Sequence, residues 1–177
     1  HTMEVAILIV YFISLSILFA FGLHGLVMIY YYHKTRAYAT PDLEIPEVLP
    51  VVTVQLPVFN EVYVIERLVN AVCEMEYPKD KLEIHVLDDS TDESFAATAI
   101  QINTLQKKGL DIQQITRSDR KNYKAGALKE GLKIAKGEFI AIFDADFLPK
   151  KDWLQQTIPF FKNSEIGVVQ TRWGHLN

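Results

Sequence analysis

The sequence is poor in cysteine and in clustered positive charge. Cys73 is the single cysteine among 177 residues, which excludes an intramolecular disulfide and suits a reducing compartment. The formal net charge is −4, and the chain contains no run of lysine and arginine. Because nucleic-acid binding depends on basic patches that neutralise phosphates, we expect no nucleic-acid partner.

Two glycine-rich signatures of phosphate binding are also missing. The sequence contains neither the Gly-x-Gly-x-x-Gly of dinucleotide-binding folds nor the Gly-Lys-Ser/Thr of a P-loop. A phosphate-binding site in this chain would therefore have to use a metal ion, basic side chains and the free N–H groups of helix N-termini.

The N-terminal segment, residues 1–36, contains a long apolar run at about 5–32 in which only Ser14, Ser16 and His24 are distinctly polar. As a helix this run would reach roughly 40 Å, more than the ~30 Å hydrocarbon core of a bilayer. It therefore predicts one transmembrane helix. A buried core helix is an alternative, but such helices are seldom apolar on every face. A cleaved signal peptide is another, and it would need a basic stretch before the run.

The charges that flank the apolar run indicate its orientation. Glu4 precedes the run, whereas Lys34 and Arg36 follow it. The positive-inside rule then places the rest of the chain on the cytoplasmic side of an inner, plasma or Golgi-type membrane. Residues 37–50 contain three prolines and three acidic residues, so we interpret them as an extended linker to a globular domain.

From residue 51 to residue 177, short apolar runs alternate with amphipathic segments. Strands are predicted at residues 51–56, 82–87, 111–116, 139–143 and 166–170. Helices are predicted at residues 61–75, about 95–108, 123–135 and 151–161. This alternation predicts an α/β domain with a mostly parallel sheet covered by helices on both faces. The polar strand at 111–116 is expected nearer an edge, and the apolar strand at 139–143 is expected to be buried.

Carboxylates follow two of the predicted strands. Asp144 and Asp146 come directly after the strand at residues 139–143. Asp88 and Asp89 end the second predicted strand. Right-handed crossovers bring the carboxyl ends of parallel strands to one rim, where open α/β sheets bind ligands. Two carboxylates this close repel unless a cation shares them, and Mg²⁺ commonly bridges carboxylates to phosphates. The pattern predicts a metal–diphosphate site, with two solvated loop acids as the alternative.

Basic residues are expected near the same rim. Lys124 lies in the first turn of a predicted helix, where N–H groups and the helix dipole favour anions, and small residues follow it. We interpret Arg117 and Lys121, which precede it, as solvated loop residues.

Further polar residues at this rim have two explanations. Asp88 and Asp89 could accept hydrogen bonds from a nucleobase or ribose, or they could belong to a helix N-cap cluster. Asn60 and Glu61 lie between the first predicted strand and the helix that follows it. Helix capping would explain Asn60, and a favourable interaction with the helix dipole would explain Glu61.

Four short motifs occur in order along the predicted domain. They are LPVFNE at residues 56–61, LDDSTD at residues 87–92, YKAGAL at residues 123–128 and FDAD at residues 143–146. The ordered set resembles that of family 2 glycosyltransferases, above all the membrane-embedded branch of cellulose synthases and mannan-synthase-like enzymes. The resemblance covers residue 51 to the end of the chain, and a preceding transmembrane helix fits it.

The resemblance implies a fold, an activity and a cofactor. The fold would be GT-A, a Rossmann-like nucleotide-diphospho-sugar transferase domain. The activity would be inverting transfer of a hexose from a cytosolic UDP-glucose or GDP-mannose type donor to a polysaccharide or lipid acceptor, with Mg²⁺ or Mn²⁺. The catalytic base would lie downstream of Asp146, beyond Asn177, so we expect a donor-binding fragment that is inactive alone.

The resemblance also implies roles for single residues. Asp89 would contact the nucleobase, Lys124 would approach the diphosphate, and Asp144 would contact ribose and phosphate. The donor-binding set would be Pro57, Asn60, Glu61, Asp88, Asp89, Lys124 and Asp144, with the metal held by Asp144 and Asp146. Trp173 is the candidate on the acceptor side, where it would stack on a sugar face, although such a tryptophan is more often packed core.

Two other functions stay open at this level. In a phosphatase-like hydrolase, Asp144 would be the nucleophile that becomes phosphorylated. In such enzymes the motif closes the first strand of the domain, whereas here it closes the fourth predicted strand. The second of these functions is that of a non-catalytic, membrane-tethered module that binds a nucleotide sugar.

Overall fold

The computed structural model of the chain describes residues 1–35 and 44–171, apart from the side chains of residues 62–64. It divides the chain into two compact units, His1–Asp42 and Leu43–Asn177. Half of the predicted linker, residues 37–43, lies outside the described residues, as do Arg36 and Trp173.

The first unit contains a single helix among its described residues, α1, at Thr2–Thr35. Every residue of α1 is exposed within the unit, and α1 is long and apolar enough to cross a membrane. The hydroxyl groups of Ser14 and Ser16 donate hydrogen bonds to the carbonyl oxygens one turn earlier, at 2.9 and 2.8 Å. These bonds satisfy the hydroxyl groups within the helix, so an apolar solvent could surround this part of α1.

The second unit is built on four parallel strands in the order β3-β2-β1-β4. The strands are β1 at Val52–Val58, β2 at Leu82–Asp88, β3 at Asp111–Ile115 and β4 at Phe139–Ile142. β1 pairs with β2 along its whole length, from Val52 opposite Leu82 to Val58 opposite Asp88. The predicted parallel sheet is confirmed, and so is the edge position of β3.

Helices cover both faces of the sheet. They are α2 at Val62–Cys73, α3 at Ser94–Lys107, α4 at Tyr123–Leu132 and α5 at Trp153–Thr157, with 3-10 turns at Lys79–Lys81 and Ile158–Lys162. Alternate strand residues such as Val54 share one core with apolar residues of α2, α3 and α5. On the opposite face, a Cβ on Gly131 of α4 would meet the side chains of Leu87 and Gln55. The helix predicted at 151–161 changes to a 3-10 turn where Pro159 supplies no N–H group.

Two predictions about strands were wrong. Residues 166–170 form no strand, and Val168 is 82% exposed. β4 was expected to be buried, but among the described residues no strand pairs with its outer side, and Ile142 is 47% exposed. Both errors have one cause, since an apolar run becomes a buried strand only where a second strand or layer covers it.

A buried polar network joins β1, β2 and the loop before β4. The Glu83 carboxylate is 2% exposed and accepts hydrogen bonds from the Thr53 hydroxyl at 2.6 Å and the Lys136 N–H at 2.9 Å. Burial alone would raise the pKa of Glu83, but these bonds lower it to about 2. The Thr53 hydroxyl oxygen also accepts the Gly137 N–H at 2.8 Å, so the network fixes how the chain enters β4.

Candidate functional site

A cavity of about 490 Å³ lies where the chain leaves β1, β2 and β4 and enters α4. Six of the residues singled out in the sequence line it, namely Pro57, Glu61, Asp89, Lys124, Asp144 and Asp146. Because the strands are parallel, their carboxyl ends open onto the same rim, as expected. The structure therefore brings together side chains that are up to about ninety residues apart in the sequence.

Two residues of the predicted donor-binding set do not line this cavity. Asp88 is 2% exposed, and its two oxygens accept hydrogen bonds from the Ser90 N–H at 2.9 Å and the Gln114 side-chain amide at 2.7 Å. Asn60 accepts the Thr91 N–H at 2.9 Å through its side-chain oxygen. Both side chains therefore hold the loop that carries Asp89 in place.

Asp89 is held by a bidentate ion pair. Arg117 donates from Nε to Asp89 Oδ1 at 2.7 Å and from Nη2 to Oδ2 at 2.5 Å. The two side chains are 11% and 7% exposed, so the interpretation of Arg117 as a solvated loop residue was wrong. The hydrogen bonds to Asp89 raise the pKa of Arg117, which keeps the guanidinium group charged.

A second arginine, which the sequence analysis did not single out, lies at the same end of the cavity. The guanidinium carbon of Arg120 is 3.4 Å from the centroid of the Phe59 ring, a cation–π contact. Its Nε is 3.8 Å from Asp89 Oδ2. The available signal was the cluster of basic residues just before α4, but only the fold shows which of them faces the cavity.

The other end of the cavity carries the two aspartates that follow β4. Asp144 forms an ion pair with Lys124 in the first turn of α4, and both side chains are about half exposed. Asp146 is exposed, and no described residue forms a hydrogen bond or ion pair with its carboxylate.

The donor set at this end fits a hard divalent cation. Within residues 1–35 and 44–171, no group of three His, Cys, Asp or Glu side chains could hold a metal alone. Two carboxylates open to a cavity nevertheless suit Mg²⁺ or Mn²⁺, which commonly complete their coordination with phosphate oxygens and water. The cavity thus offers a carboxylate and flat cationic and aromatic surfaces at one end, and cation-binding groups at the other.

Comparison with known proteins identifies the family. The model of the family described as "Glycosyl transferase family 2" matches residues 53–176. The chain belongs to this glycosyltransferase family. It is 47% identical over 133 residues to glucomannan 4-beta-mannosyltransferase 1 of Oryza sativa subsp. japonica, covering 72% of this chain and 26% of that protein. It is 44% identical over 133 residues to glucomannan 4-beta-mannosyltransferase 2 of Arabidopsis thaliana, covering 72% and 25%. This family 2 chain thus spans about a quarter of the length of these curated relatives.

Solved structures give the same assignment. A mannosyltransferase from Pyrobaculum calidifontis, in complex with GDP-Man and Mn²⁺, superposes with a TM-score of 0.69 at 32% identity, covering 81% of this chain and 42% of that one. TarS of S. aureus in complex with UDP-GlcNAc superposes with a TM-score of 0.53 at 26% identity, covering 65% and 32%. The GT-A fold expected from the motifs is confirmed.

Proposed function

We propose that this family 2 chain is the donor-binding part of a membrane-anchored, metal-dependent, inverting hexosyltransferase. The observation that carries the proposal is that one cavity is lined by Asp89 at one end and by Lys124, Asp144 and Asp146 at the other. A nucleotide sugar has matching chemistry, since its hydrogen-bonding base is joined through ribose to a diphosphate, which carries the sugar. The names of the relatives favour a GDP-mannose type donor over UDP-glucose.

At the base end, recognition rests on Asp89. Its carboxylate oxygens are already oriented by Arg117, and each retains a lone pair for an N–H donor of a nucleobase. Arg120 and Phe59 form a flat surface beside it, on which a base would stack. Pro57 and Glu61 line the same cavity and would close the pocket around the base.

At the diphosphate end, positive charge is needed where the leaving group develops negative charge. Lys124 supplies an ammonium group from the first turn of α4, where the free N–H groups and the helix dipole favour anions. Mg²⁺ or Mn²⁺ held by Asp144 and Asp146 would act as a Lewis acid on the leaving diphosphate. Inverting transfer also needs a general base for the attacking hydroxyl, and we assign that role to none of the described residues.

The long apolar helix supports the membrane part of the proposal. α1 is exposed throughout its own unit, which suits a lipid environment. Glu4 at its start and His33 and Lys34 at its end have the asymmetry of a span whose C-terminal end faces the cytoplasm. Nucleotide sugars made in the cytosol would then reach the donor cavity directly, and the acceptor would be a glycan or a lipid.

A binding experiment tests the donor site. GDP-mannose, UDP-glucose, GDP and UDP are titrated into the detergent-solubilised chain by calorimetry, with and without Mn²⁺. We expect one nucleotide to bind in a Mn²⁺-dependent manner and Asp89→Ala to abolish that binding. Asp80→Ala is the matched control, because Asp80 is an exposed acid in the 3-10 turn before β2 and does not line the cavity. Failure of all four ligands to bind the wild type would contradict the proposal.

Two further measurements separate this function from its alternatives. A phosphatase-like reaction would leave a phosphorylated Asp144, detectable as an acyl-phosphate by mass spectrometry, and we expect none. A non-catalytic module would bind donor without any transfer in the full-length protein. We expect the full-length protein to release nucleoside diphosphate in a Mn²⁺-dependent reaction with a mannan or lipid acceptor.

A further inference from the structure

Arg117 does not line the donor cavity, but it contacts two segments that meet there. One segment is the loop after β2, where the guanidinium group makes its bidentate pair with Asp89. The other is the turn into α4, where Nη1 donates to the Lys121 carbonyl oxygen and Nη2 to the Tyr123 carbonyl oxygen, both at 2.7 Å. One nearly buried side chain therefore ties the base end to the start of the helix that carries Lys124.

The turn that receives these bonds has an unfavourable backbone conformation. Asn122 has φ 62° and Tyr123 has φ 45°, so two successive residues with side chains lie in the left-handed region. A residue with a side chain rarely adopts this conformation and keeps it only where surrounding contacts hold it. The bonds from Arg117 to the carbonyl groups on either side of Asn122 help to hold this turn, together with the backbone bond from the Tyr123 N–H to the Arg120 carbonyl oxygen at 2.9 Å.

Arg117, the turn and the first turn of α4 are closely packed. A Cβ on Gly126 of α4 would clash with the Lys121 carbonyl oxygen and with the Arg117 guanidinium group. The first turn of α4 therefore lies directly against Arg117, and its position depends on where that side chain is anchored. The anchor on the other side is Asp89.

We infer that Arg117 is a positioning residue that couples the base end of the donor cavity to the diphosphate end. Asp89 anchors Arg117, Arg117 fixes the left-handed turn, and the turn sets Lys124 against Asp144 and the diphosphate. The inference rests on the proposed function, since it assigns the two ends of the cavity to the two ends of a nucleotide. A residue with only a local role would affect one end and leave the other unchanged.

The test uses a ligand that has no base. Mn²⁺–pyrophosphate and the nucleoside diphosphate that binds best are titrated by calorimetry into the detergent-solubilised full chain and its variants. We expect Asp89→Ala to weaken Mn²⁺–pyrophosphate binding about fivefold or more, within the range of ordinary coupling energies. The direction of this change in affinity distinguishes coupling from a simple effect of charge. Removal of a negative charge near the cavity would by Coulomb attraction alone strengthen the binding of an anion.

Two variants complete the test. Arg117→Lys keeps the charge opposite Asp89 but cannot reach both carbonyl groups, so we expect it to weaken the binding of Mn²⁺–pyrophosphate as well as that of the nucleoside diphosphate. This variant carries the test if Asp89→Ala fails to fold, as judged by its thermal unfolding transition. Lys121→Gln removes a neighbouring positive charge whose side chain takes no part in these bonds, and we expect less than a twofold change.

The outcomes separate the inference from the proposed function. If the wild type binds neither ligand, the proposed function is wrong and the inference fails with it. If the wild type binds both, while folded Asp89→Ala loses nucleoside diphosphate affinity and keeps pyrophosphate affinity within twofold, the donor site stands and the coupling is refuted. Pyrophosphate affinity that stays within twofold of the wild type in folded Arg117→Lys would likewise refute the coupling.

Discussion

Lys124 and Asp144 form an ion pair in the cavity at the rim of the sheet, at the end proposed to bind the diphosphate. The ammonium group thereby neutralises one of the two carboxylates that are proposed to hold the metal. A divalent ion that arrives alone has to displace this ammonium group. A metal that arrives with a diphosphate offers the displaced ammonium group a new anionic partner. The pair should therefore favour the metal–nucleotide complex over the free metal.

We expect Lys124→Met to bind free Mn²⁺ several-fold more tightly than the wild type and to bind nucleoside diphosphate more weakly. The reason is that the competing cation is lost together with a phosphate-binding group. Electron paramagnetic resonance of free Mn²⁺ in a titration measures the first effect, and calorimetry measures the second. Lys133→Met is the matched control, because Lys133 makes a similar exposed pair with Glu130 at 2.7 Å outside the cavity. Unchanged Mn²⁺ affinity in Lys124→Met would show that the pair does not compete with the metal.

We expect Asp146→Asn to abolish the Mn²⁺ dependence of nucleotide binding without affecting folding. Asp146 is exposed, and no described residue bonds to its carboxylate, so its replacement leaves no buried group unpaired. The check is nucleotide titration with and without Mn²⁺, together with a thermal unfolding curve. An Asp146→Asn protein that binds nucleotide with the full Mn²⁺ dependence of the wild type would remove Asp146 from the metal site.

The Glu83 network predicts a pH-dependent contribution to stability. The pKa of Glu83 is lowered from 4.5 to about 2 in the folded chain, so its contribution is fully present above about pH 4.5 and is lost as the pH falls through 2. By linkage the contribution at neutral pH is of order 3 kcal/mol. We expect Glu83→Gln to lower the free energy of unfolding in urea at pH 7, and the difference from the wild type to shrink between pH 5 and pH 2. Glu130→Gln, which changes an exposed pair, should shift stability by less than about 1 kcal/mol. A difference in the free energy of unfolding between the wild type and Glu83→Gln that does not change with pH would contradict this account.

Gly137 lies where β1 approaches the loop that leads into β4. A Cβ at this position would lie 2.6 Å from the Thr53 hydroxyl oxygen and 2.8 Å from the Phe139 carbonyl oxygen. We expect Gly137→Ala to destabilise the chain by about 1–3 kcal/mol, the usual cost of overpacking. Gly167→Ala is the control, since a Cβ there meets no atom within 4 Å. Equal unfolding midpoints for the two variants in urea would show that the loop gives way without cost.

Much of the fold followed from local patterns. The strands β1, β2 and β3 and their helices were predicted because each combines an apolar run or stripe with a clear end signal, such as the Lys108–Gly109 stop after α3. The errors concern β4 and residues 166–170, whose burial and pairing depend on what lies beside them. Sequence periodicity describes one segment at a time, whereas the burial of a strand depends on the segments that pack beside it.

The candidate site, too, could be predicted from the sequence only in part. Motif order and the rim rule placed Asp89, Lys124 and Asp144 together, and the structure has them around one cavity. The roles of Asp88 and Arg117 could not be read from the sequence, because each depends on a partner about thirty residues away in the chain. Adjacent aspartates are alike in sequence, and only the direction of each side chain separates the buried one from the one at the cavity.

The polar groups of the cavity follow the ends of the strands and are not part of the apolar core, which lies along β1 and β2 and their helices. Affinity for the donor and resistance to unfolding therefore depend on largely different atoms. Donor preference should be open to redesign in the loops after β1 and β2 with little loss of folded protein. Arg117 is an exception, because its guanidinium group holds both Asp89 and the turn before α4.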